Sequence, residues 1–155
     1  MRKKQKGFSL IELLIVVAII LIIAAIAIPN LLRAKIAANQ ASAVGSLRTL
    51  NTACIAYSTS YGQFPAALAN LGPMASGGTA SSTSADLIDS VLASGTKSGY
   101  TFAFTAGNSN QSYTITATPI TVGTTGQNMY FTDQSGVIRV NTSGAGASAT
   151  STPIG

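Results

Sequence analysis

Three residues near the N-terminus, Gly7, Phe8 and Glu12, form a candidate site for peptide cleavage and for a charge pair. Gly7 follows a short basic leader, and a small residue there could admit the chain to a protease that cuts between residues 7 and 8. That cut would create an α-ammonium group on Phe8, four residues before the carboxylate. Residues four apart share a helix face, so Glu12 could meet its own N-terminus. Between staggered helices it could instead meet a neighbour's terminus, and only that pairing would set the register of subunits.

Glu12 is the only charged residue between Phe8 and Leu32. A carboxylate in an apolar segment is costly and is a functional candidate for that reason. The alternative is that it lies at the membrane surface and only ends the apolar span. The segment has about 25 residues, enough for a helix to cross a bilayer. Pro29 removes one internal hydrogen bond and predicts a kink or a local opening of this helix.

The basic leader predicts how the apolar helix is oriented. Its four cations outnumber Arg33 and Lys35 beyond the span, so the leader should stay in the cytoplasm and the rest should lie outside. A rival processing site is the small-residue pattern at Ala25 and Ala27, which resembles an ordinary signal peptidase site. A cut there would release a soluble secreted domain but would leave Glu12 unexplained.

Composition argues against several classes of function. Of nine basic residues, four are in the leader, so five cations face four carboxylates afterwards, a net charge of about +1. No clustered basic face remains, and no nucleic-acid partner is predicted. The chain has one cysteine, Cys54, and no histidine, which excludes an internal disulfide and argues against a metal site or a Cys–His nucleophile. We expect no cofactor, no metal and no catalytic residue. A tethered enzyme or binding module would need a convergent polar pocket, which three scattered carboxylates after residue 85 do not favour.

The remaining pattern predicts an α+β fold. A long N-terminal helix should run to about Tyr61, and its apolar stripe should cover a small antiparallel sheet of three or four strands. A loop at 75–84 and a short helix from Ser84 to about Ala93 should lie between them. Residues 143–155 are rich in Ser, Gly, Ala and Thr and are predicted to be disordered. The stripe comprises Leu47, Leu50, Cys54, Tyr57 and Tyr61, and the strand runs are 100–104, 113–117, 128–132 and 137–141.

The leader, the segment Gly7-Phe8-Ser9-Leu10-Ile11-Glu12 and the apolar helix together resemble the class III signal of type IV pilins and type II secretion pseudopilins. The resemblance implies a leader at 1–7, an assembly helix at 8–32 and a globular domain at 33–142. It also implies cleavage after Gly7 by a prepilin peptidase, N-methylation of Phe8, an assembly role for Glu12 and a helix-breaking role for Pro29.

The same resemblance implies partners and a place in the cell. The chain would wait in the bacterial inner membrane as a single-pass precursor and would then polymerise with copies of itself through its apolar helix. An inner-membrane assembly platform with a cytoplasmic ATPase would drive the process. The product would be an extracellular pilus or a periplasmic pseudopilus. Two departures from the family pattern matter. Leu21 stands where many members have a glycine midway in the apolar helix, which argues against melting of the helix near Pro29. The chain cannot form the C-terminal disulfide of many pilins, which favours pseudopilins or the smaller pilins.

Overall fold

The computed structural model describes residues 7–74 and 78–154. Residues 1–6 of the predicted leader, residues 75–77 of the predicted loop and the last residue of the predicted tail lie outside that part. The chain divides into two compact units between Lys35 and Ile36. One helix, α1, runs over Leu10–Tyr61 and contributes to both units.

The first unit consists of the N-terminal part of α1, and its aliphatic side chains are exposed. The large hydrophobic residues from Phe8 to Leu32 are between 42% and 78% exposed. By length and composition α1 can cross a membrane. Pro29 lies inside α1, which continues past it, so the Ala25 carbonyl lacks its usual donor although the helix does not end there.

The second unit places the rest of α1 on an antiparallel sheet. Six strands pair in chain order, and α2 (Ser90–Ala93) precedes them. The strands are β1 (Thr96–Lys97), β2 (Tyr100–Ala106), β3 (Tyr113–Pro119), β4 (Met129–Asp133), β5 (Arg139–Asn141) and β6 (Thr152–Pro153). A short 3-10 turn, Leu68–Leu71, follows α1. The predicted α+β class is therefore confirmed.

The predicted stripe on α1 faces the sheet. Leu47, Leu50 and Cys54 have no exposed surface, and Tyr57 is 3% exposed, whereas Tyr61 is only partly buried. Alternate residues of β3 are buried, as a sheet covered on one face requires. The helix ends as predicted, because Gly62 has a φ of +74° and its N–H donates to the Ser58 carbonyl at 2.8 Å.

The predicted helix from Ser84 was wrong in its start. The Ser84 hydroxyl donates to the Pro73 carbonyl at 2.8 Å, and the Leu87 N–H donates to the Leu71 carbonyl at 2.9 Å. These bonds hold residues 84–88 against the 3-10 turn. Helix α2 begins only at Ser90, where the Asp89 carboxylate accepts from the Leu92 N–H at 2.7 Å and caps it.

The sheet and the tail also differ from the predictions. Two-residue strands, β1 and β6, extend the expected sheet at both edges. The tail is not disordered where β6 pairs with β5, with Val140 opposite Thr152. The Ile154 N–H donates to the Ile138 carbonyl at 2.8 Å, and its side chain packs against the core. The pairing of β6 with β5 and the packing of Ile154 thus hold the end of a segment whose composition alone is typical of disorder.

Candidate functional site

The candidate site is the start of the first unit, where residues 7–9 precede α1. These residues are exposed and are not helical. A Cβ added to Gly7 would meet no atom within 4 Å, and Gly7 is not among the glycines with positive φ. Nothing in the described fold therefore requires glycine at this position. The predicted reason, admission to a protease, remains a prediction.

Ser9 and Glu12 form a variant of the capping box at the start of α1, in which the serine hydroxyl accepts from the second helical residue instead of the third. The Ser9 N–H donates to Glu12 Oε2 at 2.9 Å, and the Ile11 N–H donates to Ser9 Oγ at 3.3 Å. The Leu13 N–H donates to the Ser9 carbonyl at 3.2 Å, the first backbone bond of the helix. The two side chains thus satisfy N–H groups that a helix start leaves without partners.

The capping box is the part of the site that sequence analysis missed. The signal was present, because Ser-x-x-Glu before an apolar run is the pattern of a capping box. The position of Glu12 in an apolar segment indicates only a partner for an ammonium group or a residue at the membrane surface. In the structure it acts first on its own helix, through Oε2. Among the described residues, no hydrogen bond reaches the second oxygen, Oε1, so this oxygen can accept one more donor.

The described residues of the second unit offer neither a cluster of metal ligands nor a reactive thiol. No group of three His, Cys, Asp or Glu side chains there could hold a metal ion. Burial raises the pKa of the Cys54 thiol to about 12, so the thiolate that a nucleophile needs does not form near neutral pH. The Asp133 carboxylate accepts from the Ser135 N–H at 2.9 Å, inside the turn between β4 and β5.

The buried polar side chains of the second unit join α1 to the sheet through hydrogen bonds. Asn51 of α1 donates to Thr132 Oγ1 at 2.9 Å and to the Gly136 carbonyl at 3.3 Å. The Tyr113 hydroxyl donates to Asn51 Oδ1 at 3.1 Å. This Asn51 network joins α1 to β3, β4 and the turn after β4, and every buried side-chain nitrogen and oxygen in the described part of the chain has a partner.

Comparison with known proteins supports the reading of the N-terminal segment. A family model described as the prokaryotic N-terminal methylation motif matches residues 2–28. The N-terminal segment of the chain is therefore similar to that of proteins with a prepilin-type methylation motif. The match covers the leader, Gly7, Phe8, Glu12 and most of the apolar helix, which are the residues on which the resemblance rested.

Three relatives illustrate the similarity. The chain is 52% identical over 50 residues to the type IV major pilin protein PilA of Myxococcus xanthus, which is 32% of this chain and 23% of the relative. It is 63% identical over 38 residues to the type IV wide pilus major component PilA4 of Thermus thermophilus, 24% of this chain and 29% of the relative. It is 52% identical over 59 residues to the type IV major fimbrial protein FimA of Dichelobacter nodosus, 36% of this chain and 37% of the relative.

The chain thus spans between 23% and 37% of the length of these relatives. No solved structure matches the chain.

Proposed function

We propose that this chain is a structural subunit of a type IV pilus-like filament. The observation that carries the proposal is the first unit: an apolar helix with exposed aliphatic side chains that begins at a prepilin-type motif. As a precursor, the subunit is anchored in the membrane by this helix. After cleavage behind Gly7 and N-methylation of Phe8, the helix leaves the lipid and packs against the helices of other copies.

Burial of the apolar helix supplies the attraction between subunits. Covering an exposed Leu or Ile side chain contributes about 1.5–3 kcal/mol, and the first unit exposes more than ten such side chains. In the bilayer the lipid provides the same cover. The subunit is therefore stable in either environment, and its transfer requires other proteins. We assign that work to an inner-membrane assembly platform with a cytoplasmic ATPase, and the cut to a prepilin peptidase.

The relatives favour a pilus over a secretion pseudopilus. The three reported above are a major pilin, a major component of a wide pilus and a major fimbrial protein. We therefore propose an extracellular filament, with the leader cytoplasmic in the precursor and the sheet unit outside. The subunit itself is structural rather than enzymatic. We also propose that Pro29 is where α1 opens when it packs, because the helix already lacks one hydrogen bond there.

Glu12 gives the filament its register in this proposal. Glu12 Oε2 accepts from the Ser9 N–H, and Glu12 Oε1 can accept a hydrogen bond from the α-ammonium group of Phe8 in a neighbouring subunit. A buried carboxylate without a cation is costly, so a subunit in the wrong register is penalised. Hydrophobic packing alone tolerates sliding along the helix axis, whereas a single charge pair does not.

The test separates the charge of Glu12 from its capping role. Glu12→Gln keeps an oxygen acceptor for the Ser9 N–H, because glutamine also completes a capping box, but it removes the charge. We expect normal membrane insertion and processing with strongly reduced filament yield. Glu12→Leu should also insert normally, since it removes a polar cost from the membrane. It should also assemble poorly, because it lacks the charge.

The matched control is Asp86→Asn, which removes a carboxylate from an exposed residue of the second unit. Asparagine tolerates the positive φ of +56° at that position. Filaments should form normally from this variant. Normal filament yield from Glu12→Gln, measured by shearing and electron microscopy, would refute the register role.

A further inference from the structure

We infer that Ser9 is a positioning residue for leader removal, because its hydroxyl keeps the carbonyl of the Gly7–Phe8 peptide bond out of α1. The inference rests on the proposed cleavage after Gly7. Hydrolysis there adds one water across the bond, breaks the link between the Gly7 carbonyl carbon and the Phe8 nitrogen, and leaves a carboxylate on Gly7 and an α-ammonium group on Phe8. The attacked atom is thus the Gly7 carbonyl carbon.

The Ile11 N–H decides whether that carbonyl is free. In an α-helix each N–H bonds to the carbonyl four residues earlier, so α1 extended toward the N-terminus would join the Ile11 N–H to the Gly7 carbonyl. In the structure the Ile11 N–H donates to Ser9 Oγ instead, at 3.3 Å. The serine hydroxyl therefore competes with the Gly7 carbonyl for the Ile11 N–H. A protease must reach that same carbonyl.

Glu12 closes the second route to helix extension. An extended helix would use the Ser9 N–H as a donor to a residue of the leader, but this N–H donates to Glu12 Oε2 at 2.9 Å. Both bonds together fix the start of the helix at Leu10 and leave residues 7–9 outside it and exposed. A peptide bond outside the helix can lie extended in a protease cleft, whereas a helical one must first unwind.

Gly7 supports the same inference independently. The described fold gives no steric or conformational reason for glycine there, since an added Cβ meets no atom within 4 Å. Glycine is, however, a poor helix former, and it weakens any extension of α1 through residue 7. Gly7 and Ser9 thus act in the same direction, one by low helix propensity and the other by capping.

The test compares three substitutions of Ser9 in the full-length precursor, reconstituted in detergent micelles with purified prepilin peptidase. Ser9→Ala removes the cap. The equilibrium between the helix that starts at Leu10 and the extended helix should shift about fivefold toward the extended form, and cleavage should slow by about two- to fivefold. Ser9→Asn keeps an oxygen acceptor and should restore the rate. Ser9→Gly removes the hydroxyl, but the low helix propensity of glycine disfavours extension of the helix through residue 9 by itself, so this variant should also be cut at close to the wild-type rate.

A spectroscopic measurement reports on the carbonyl itself. Gly7-Phe8 is the only Gly-Phe pair in the chain. Labelling glycine with ¹³C at the carbonyl and phenylalanine with ¹⁵N therefore isolates this one peptide bond in an NMR experiment that correlates the two nuclei. The Gly7 carbonyl shift should move toward helical values in Ser9→Ala and should stay at the wild-type value in Ser9→Asn and Ser9→Gly.

The outcomes are distinguishable. If Ser9→Ala is cut as fast as wild type and its carbonyl shift is unchanged, the inference is wrong. If Ser9→Gly is cut as slowly as Ser9→Ala, the peptidase reads the side chain at this position, and the conformational role is wrong. If the wild-type precursor is not cut between Gly7 and Phe8 at all, the proposed function itself fails. Ser60→Ala, which removes an exposed hydroxyl that bonds to the Ala56 carbonyl near the other end of α1, serves as the matched control.

Discussion

Replacing Asn51 by alanine should strongly destabilise the second unit. The Asn51 network crosses from α1 to three parts of the sheet region, and its centre is buried: Thr132 has no exposed surface and Tyr113 has 1%. In Asn51→Ala the Thr132 hydroxyl and the Tyr113 hydroxyl both lose their partner.

The magnitude follows from what is left unpaired. A buried polar group without a hydrogen bond costs about 1–3 kcal/mol, and two hydroxyls are affected. The long bond to the Gly136 carbonyl is partly exposed and adds less than about 1 kcal/mol. We therefore expect Asn51→Ala to lower the free energy of unfolding by roughly 3–5 kcal/mol, a large part of the total for a small domain.

Urea unfolding followed by circular dichroism measures the loss, on a chain that begins at Ala34 and contains the whole second unit. Thr52→Ala is the matched control, because its hydroxyl bonds only to the Arg48 carbonyl of its own helix and is exposed. It should change stability by less than about 0.5 kcal/mol. Thr132→Val completes a double-mutant cycle with Asn51→Ala, and the coupling should fall between about 0.5 and 3 kcal/mol. If Asn51→Ala unfolds at the parent's urea midpoint, or if the two changes add without coupling, the network does not hold the helix on the sheet.

Two further predictions concern the same unit. The chain that begins at Ala34 should be soluble, monomeric and folded, and Leu50→Ala should cost it about 2–5 kcal/mol in thermal melts. An unfolded truncated chain, or a Leu50→Ala variant that melts like its parent, would refute the packing of α1 on the sheet. Burial raises the pKa of Tyr100 to about 12, so folding favours its neutral form. Its contribution should be complete below the unfolded pKa near 10 and should be lost as the pH rises from there to about 12. Tyr100→Phe should flatten that decline in urea titrations at each pH.

The central packing of the fold was readable from the sequence because it repeats with a period. The α1 stripe recurs every three or four residues and β3 alternates every two, so each predicts its own buried face. The capping box was equally readable, as Ser9 and Glu12 have the required spacing. The capping role was missed because Glu12 is also the only charge in an apolar segment, and that feature suggested a different function.

Other features depend on residues distant in the chain and leave no local pattern. Asn51 looks like an exposed helix residue until Tyr113 and Thr132, 62 and 81 positions later, are placed beside it. Strands β1 and β6 have two residues each, too few to show a period. The sequence predicted Ser84 as the cap of α2, but the Ser84 hydroxyl bonds to the distant Pro73 carbonyl and Asp89 caps the helix.

The most direct test of the filament proposal is mass spectrometry of filaments sheared from cells that express this chain. We expect the chain to be a main subunit of these filaments, with an N-terminal peptide that begins at Phe8 and carries a methylated α-amino group. An intact leader, or a terminus at Ile28 from a cut after Ala27, would be incompatible with cleavage after Gly7. Absence of the chain from every extracellular filament would contradict its proposed function as a pilus subunit.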